Sequence, residues 1–187
     1  MATHYATDGK IGVDLEAIYA SASAASSIQL PHTPGTTVAT NNNGEAIFVR
    51  AESTIAQYDC VAIGFFGDSA TAASGTPIPR AVPATTAGVA AAGVTGVAPR
   101  IGVAQVAITS AYYGWVFVKG TALRVNALVA CQPKVQIFVT STAGSVDDTV
   151  VSAGLIQGMT IITSATSASA PYCNLNNPSI AWYAVQA

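Results

Sequence analysis

Past residue 40 the chain is written as short apolar runs separated by turn residues. The runs cover residues 46–51, 60–65, 101–108, 114–119, 123–125, 135–140, 155–163 and 180–185. They are rich in Val, Ile, Phe and Tyr and are bounded by Gly, Pro, Asn or Asp, the signature of strands and their turns. Several alternate, so Val135, Ile137 and Val139 would share one face of an extended segment. No 3.6-residue pattern competes beyond the N-terminal segment. The pattern predicts an all-β protein, built as one or more small β-barrel or sandwich-like domains.

Residues 1–38 differ from the rest and predict an extended N-terminal arm. Asp14 could cap a short helix through Tyr19. The Ala/Ser run that follows and the sequence Leu30-Pro31-His32-Thr33-Pro34-Gly35 would stop it. Two readings stay open for this arm: a loosely ordered leader, or a segment that docks on a neighbouring subunit. Residues 67–96 form a long stretch of Ala, Thr, Ser, Gly and Pro with little capacity for a core of its own. Loops of such length are often functional, and this one could lie on a partner or hide one short strand near Ile78–Val82.

The two halves echo each other. Phe48-Val49-Arg50 resembles Phe117-Val118-Lys119, and Ile108-Thr109-Ser110-Ala111 recurs as Ile162-Thr163-Ser164-Ala165. Two related β units are one reading, the first over 39–119 and the second over 120–187, with chance similarity in an Ala/Ser/Thr/Val-rich chain as the other.

Charge changes the picture most. Only 9% of the 187 residues are Asp, Glu, Lys or Arg, and none of these, nor His, occurs from Thr149 to Ala187. Soluble domains average about 25%. A surface so neutral suits contact with protein better than life as a free monomer. The net charge of −2 argues against the basic footprint that nucleic-acid binding requires. No apolar stretch approaches membrane-spanning length. The start, MATHYATDGKIGVDLE, lacks the basic and apolar regions of a signal peptide, so the expectation is synthesis in a cytoplasm.

Little in the chain suggests catalysis. His4 and His32 both lie in the arm, are expected to be exposed, and have no Cys, Asp or Glu at metal-ligand spacing. No GxSxG or Gly-rich phosphate loop occurs. Cys60, Cys131 and Cys173 form no CxxC pair and are read as buried thiols. Asp147-Asp148 reads as a solvated turn without calcium-loop spacing. Glu45, Glu52 and Asp59 near Arg50 read as strand-edge charges. The expectation is therefore no catalytic residue, no cofactor and no metal.

The aromatic residues are the better candidates for function. Tyr112, Tyr113 and Trp115 sit together, as do Trp182 and Tyr183. Trp115 alternates with Phe117 and is read as core, whereas Trp182 lies in the charge-free tail and is read as interface; a sugar-stacking platform is the alternative for either. With Tyr19 and Leu30 on the arm, the candidate interface set is Tyr19, Leu30, Tyr112, Tyr113, Trp182 and Tyr183.

Three stretches resemble small virion proteins of tailed bacteriophages, capsid decoration (cement) proteins in particular. They are Gly44-Glu45-Ala46-Ile47-Phe48-Val49-Arg50-Ala51 with Ile55–Val61; Ile101–Ile108 leading into Tyr113-Gly114-Trp115-Val116; and Val135–Gly144 with Asp147-Asp148. The resemblance implies a non-enzymatic protein of the outer capsid surface of a virion, made in the host cytoplasm. Its implied partners are the major capsid protein and copies of itself, as a homotrimer, with no direct nucleic acid and no membrane. A phage tail, neck or fibre-base component and a carbohydrate-binding β module are the alternatives. If the arm serves assembly alone, deleting residues 1–37 should leave the β fold intact by circular dichroism and weaken assembly.

Overall fold

The computed structural model describes residues 13–20, 30–41, 43–64, 78–89, 100–150, 154–165 and 170–181. These residues form ten strands: β1 (Thr37–Thr40), β2 (Gly44–Ala51), β3 (Cys60–Gly64), β4 (Arg80–Pro83), β5 (Arg100–Val103), β6 (Tyr113–Arg124), β7 (Ile137–Val139), β8 (Val146–Asp147), β9 (Leu155–Ile161) and β10 (Tyr172–Ile180). All join one hydrogen-bonded sheet in the order β1-β2-β4-β3-β5-β6-β10-β9-β7-β8, with β2–β6 and β5–β10 pairings besides. The all-β expectation is met.

Because β2 pairs with both β4 and β6, the strands β2, β4, β3, β5 and β6 are bonded in a ring. It is not a clean barrel, since β5 meets β6 at one ladder position, Val103 opposite Phe117. Alternation gives the ring strands two apolar faces. Ile47, Val49, Val61, Ile63, Val116 and Val118 gather on one face in a first core. Ala46, Phe48, Ile101, Val103, Trp115 and Phe117 face the other way, into a larger core completed by Leu123, Ile137, Val139, Ile161, Cys173 and Leu175. Trp115 and Phe117 thus lie in the core as their spacing predicts.

Strand β6 joins the two parts. The segments read as separate strands at 114–119 and 123–125 are one strand, bent where Gly120 has φ 146° and Ala122 φ 55°. Before the bend β6 pairs with β2, placing Phe48 opposite Trp115; after it, Arg124 lies opposite Tyr172 of β10. Lys119 is opposite Glu45 on one side and Asn176 on the other. The approach is tight enough that a Cβ on Gly44 would come 2.5 Å from the Lys119 carbonyl oxygen, so a side chain there would force the strands apart.

Other expectations are corrected. The strand read at 101–108 ends at Val103, and Ile108 makes an isolated bridge with Ile55. Val135 is exposed and precedes β7, in which Phe138 is buried along with Ile137 and Val139. Among the described residues the strand that follows β9 is β10 over Tyr172–Ile180; of the run expected at 180–185 only Ile180, which closes β10, and Ala181 are described, and 182–185 lie outside the described residues. Within the long loop, β4 pairs parallel to β2 and antiparallel to β3. Thr85 caps a helical turn at 86–89, its Oγ1 accepting the Gly88 amide at 2.9 Å. Residues 67–77 and 90–96 of that stretch lie outside the described residues. The echoed tetrapeptides sit in unlike surroundings, with Ile108 buried and Ile162 exposed.

The described parts of the N-terminal segment dock on their own chain. Leu15 is buried in the larger core, and β1 forms a hairpin with β2 around Asn43, which adopts φ 51°. His4 lies outside the described residues, while His32 is half-buried rather than an exposed leader residue. Removing residues 1–37 therefore strips a piece of the fold, which revises the expectation that such a deletion spares it. A single change makes the point: Leu15→Ala should cost about 2–5 kcal/mol, the range for truncating a buried leucine. Urea denaturation followed by circular dichroism measures this, and an unshifted midpoint would mean that the segment contributes nothing to the core.

Candidate interaction surface

Of the six candidate interface residues, the structure brings two together. Tyr19 and Tyr113 exchange backbone hydrogen bonds, the Tyr19 amide donating to the Tyr113 carbonyl at 2.9 Å and the Tyr113 amide to the Tyr19 carbonyl at 2.8 Å. Their rings join an aromatic cluster in which Phe48 lies 5.8 Å from Tyr19, 5.9 Å from Tyr113 and 5.0 Å from Trp115. His32 closes the cluster, its ring 5.1 Å from Trp115 and 5.6 Å from Phe48. Burial, then the nearby Asp14 charge, pushes the Tyr19 hydroxyl above its ordinary pKa. Tyr112, next in sequence, is turned outward, and Leu30 is half-buried. Trp182 and Tyr183 lie outside the described residues. Trp115 is 2% exposed, so its face is closed to any stacked sugar.

A second aromatic group was not legible as a unit in the sequence. The Arg124 guanidinium lies 5.0 Å from the Tyr172 ring centroid and 5.8 Å from that of Tyr58. Its Nη2 also donates to the Tyr172 hydroxyl at 3.3 Å. Arg124 is held by its neighbours on β6 and β10, and Tyr58 by a turn that places it at φ 69°. That backbone region is uncommon for a bulky side chain and is kept only where the surroundings over-determine it. Here they do. The Tyr58 amide donates to the Ala104 carbonyl at 2.7 Å, and the Asn126 amide to the Tyr58 carbonyl at 2.8 Å. Gln105 adds a strand-like clasp, its Nε2 donating to the Arg124 carbonyl at 2.9 Å while its Oε1 accepts the Arg124 amide at 3.2 Å. A signal for this group existed only in composition, since Arg and Tyr are favoured anchors of protein interfaces.

Asp59 anchors the turn. Read as a strand-edge charge, it is in fact buried, with Oδ2 accepting the Ala56 amide at 2.7 Å and Oδ1 accepting from Asn126 Nδ2 at 3.0 Å. Burial raises its pKa, while those two hydrogen bonds pull it partly back. The other acids do sit near the strands: Glu52 bridges Arg50 at 3.3 Å and Arg80 at 2.7 Å, and Glu45 reaches Arg100 at 3.3 Å. Since Arg50 and Arg80 lie opposite each other in the parallel β2–β4 pair, Glu52 offsets a like-charge contact.

Large apolar side chains remain on the surface. Val135 and Ile162 flank the hydrogen bond from the Lys134 amide to the Ile161 carbonyl, and both are exposed, as is Val129. All three cysteines are free and buried; burial pushes Cys173 up to about 12 and Cys131 up to about 11, and raises Cys60 further still.

No protein-family model and no curated protein sequence matches the chain. Among solved structures, it is similar to the N base of the head fiber gp8.5 of bacteriophage phi29, with a TM-score of 0.47 and 14% sequence identity over 74% of this chain and 98% of that one. A likeness this distant fixes neither family nor partner.

The buried Asp59 generates a pH test. Its folded pKa is raised, so the folded chain holds the proton more tightly than the unfolded chain does. The stability this adds is complete below the ordinary value of 3.8 and is lost as pH rises through the raised folded value. Relative to Asp59→Asn, wild type should therefore gain stability as the pH is lowered from neutral toward that ordinary value. Paired urea titrations at several pH values measure the difference, and one that stays flat would contradict a titrating Asp59.

Proposed function

We propose that this chain is a non-enzymatic structural protein of a phage virion that binds the outer capsid lattice as a homotrimer and stabilises it. The observation that carries the reading is its surface. Only 9% of residues are charged, and Tyr112, Tyr172, Val129, Val135 and Ile162 stand exposed on the described part of the fold. A surface of this kind meets protein with few charges to strip of water. The resemblance of three strand-turn stretches to capsid decoration proteins points the same way, and the rigid ring of strands is a suitable base for a clamp. The major capsid protein is the proposed partner. A contact of standard size removes roughly 800 Å² per partner, and many copies acting through a lattice multiply its effect.

Arg124, Tyr58 and Tyr172 are the proposed anchor on the described surface, offering two aromatic faces and one cation to a carboxylate or carbonyl of the shell. The decisive experiment is cryo-electron microscopy of particles from cells expressing this chain with its neighbouring head genes. Ordered density on the outside of the shell supports decoration. Bare shells with the protein on a tail or neck would assign it to a tail, neck or fibre-base component, and free protein that binds glycans would favour the carbohydrate module. In co-sedimentation with assembled shells, Arg124→Ala with Tyr172→Ala should weaken binding about tenfold or more while the circular dichroism spectrum is kept. Unchanged binding would move the contact to another face.

A further inference from the structure

We propose that Cys131, Asp147 and Asp148 form a binding site for a divalent transition cation of the zinc type. The sulfur of Cys131 and a carboxylate oxygen from each aspartate all lie within 4.8 Å of one another. The residues come from two segments of the chain, one before β7 and one at the end of β8. Backbone contacts hold these together: Ala127 bridges Val146, and the Leu128 amide donates to the Val146 carbonyl at 2.9 Å. Cys131 is fixed in turn, since its carbonyl accepts the Ala165 amide at 3.1 Å.

Two features set this group apart from an ordinary acidic turn. The Cys131 side chain is wholly buried at the edge of the larger core, yet its sulfur lies within reach of both carboxylates. Among the described residues, neither Asp147 nor Asp148 has a Lys or Arg partner in an ion pair. The half-buried carboxylates are thus left facing each other and a thiol. One is already oriented, since Asp148 Oδ2 accepts the Gln132 amide at 3.2 Å, the kind of outer hydrogen bond that aims a metal ligand.

The donor set selects the metal. A thiolate disfavours the hard cations calcium and magnesium, which take oxygen ligands. Zinc accepts sulfur at about 2.3 Å and carboxylate oxygen at about 2.0–2.2 Å in a tetrahedron. Small side-chain rotations would close the present spacing to that shape, with water as the fourth ligand. On binding, the Cys131 S–H bond breaks, the sulfur forms a bond to the cation, and the proton passes to solvent. The bound ion would tie the 127–134 segment to the end of β8.

The test uses the full chain, kept reduced, with cobalt(II) as a spectroscopic probe and zinc(II) as competitor. One equivalent of cobalt should produce sulfur-to-cobalt charge-transfer absorption that zinc abolishes, and zinc should raise the Tm. Cys131→Ser should lose the absorption, and Asp147→Asn should weaken metal affinity about tenfold or more. If Cys131→Ser does not fold, the Asp147→Asn result decides alone. The proposal is overturned if the charge-transfer band is absent, if it survives in Cys131→Ser, if Asp147→Asn binds as tightly as wild type, or if calcium raises the Tm of wild type and Cys131→Ser alike.

Discussion

Everything in this fold depends on one strand having two sets of neighbours. The backbone of β6 must satisfy hydrogen bonds to β2 along its first half and to β10 along its second. A straight, regularly twisting strand could not serve both, so the chain turns at Gly120 and Ala122, both at positive φ. Ala122 adopts a conformation that glycine tolerates better. Its amide is met by Asn174 Oδ1 at 3.2 Å, a local interaction from the very strand that the bend admits. The ring of strands and the sheet formed by β10, β9, β7 and β8 are in this way parts of a single hydrogen-bonded system.

The bend also sets where the larger core can grow. Phe48 and Trp115 face each other across β2 and β6, and the space above them is filled by the described N-terminal residues rather than by a second sheet alone. Tyr19 and His32 pack edge-on against this pair, a geometry that aromatic rings favour. The rings of Tyr19 and His32, in the described part of the arm, are therefore used inside the chain. What remains for a partner, among the described residues, includes the outward-facing Tyr112, the Arg124 group beyond the bend, the apolar side chains near the end of β9, and the exposed Ile18 and Val150.

The strands rich in Val, Ile and Phe were legible in the sequence because burial on both faces demands such residues. The misreadings have local causes. Strand β10, YCNLNNPSI, is rich in Asn and contains Pro, both depleted in strands. It is nonetheless a strand because Cys173, Leu175 and Ile180 reach the core, and its irregularity around Asn177 and Pro178 is accommodated opposite Gly158, at φ 82°. Asp59 looked like a surface charge because its amide and Asn126 partners are visible only once the turn is folded. Cys131 and Asp147-Asp148 were read separately, since no linear spacing links a loop before β7 to the end of β8. Tyr58, Arg124 and Tyr172 were scattered for the same reason: sequence pattern shows which face a residue takes, not which distant residue shares it.

Strand β10 is late in the chain but central in the sheet, lying between β6 and β9 and touching β5. Until residues 172–180 have emerged from the ribosome, β6 has an open flank beyond its bend and β9 lacks its main neighbour. The larger core cannot close before then, whatever the earlier strands have done. Folding of this architecture thus waits for β10 and is dominated by contacts between distant parts of the chain, which form slowly. During that delay apolar strands with unpaired edges are exposed, the state in which newly made β proteins aggregate. The sparse charge that suits the finished surface to crowded packing offers the nascent chain little electrostatic protection, so the cost of such a surface falls on its biogenesis.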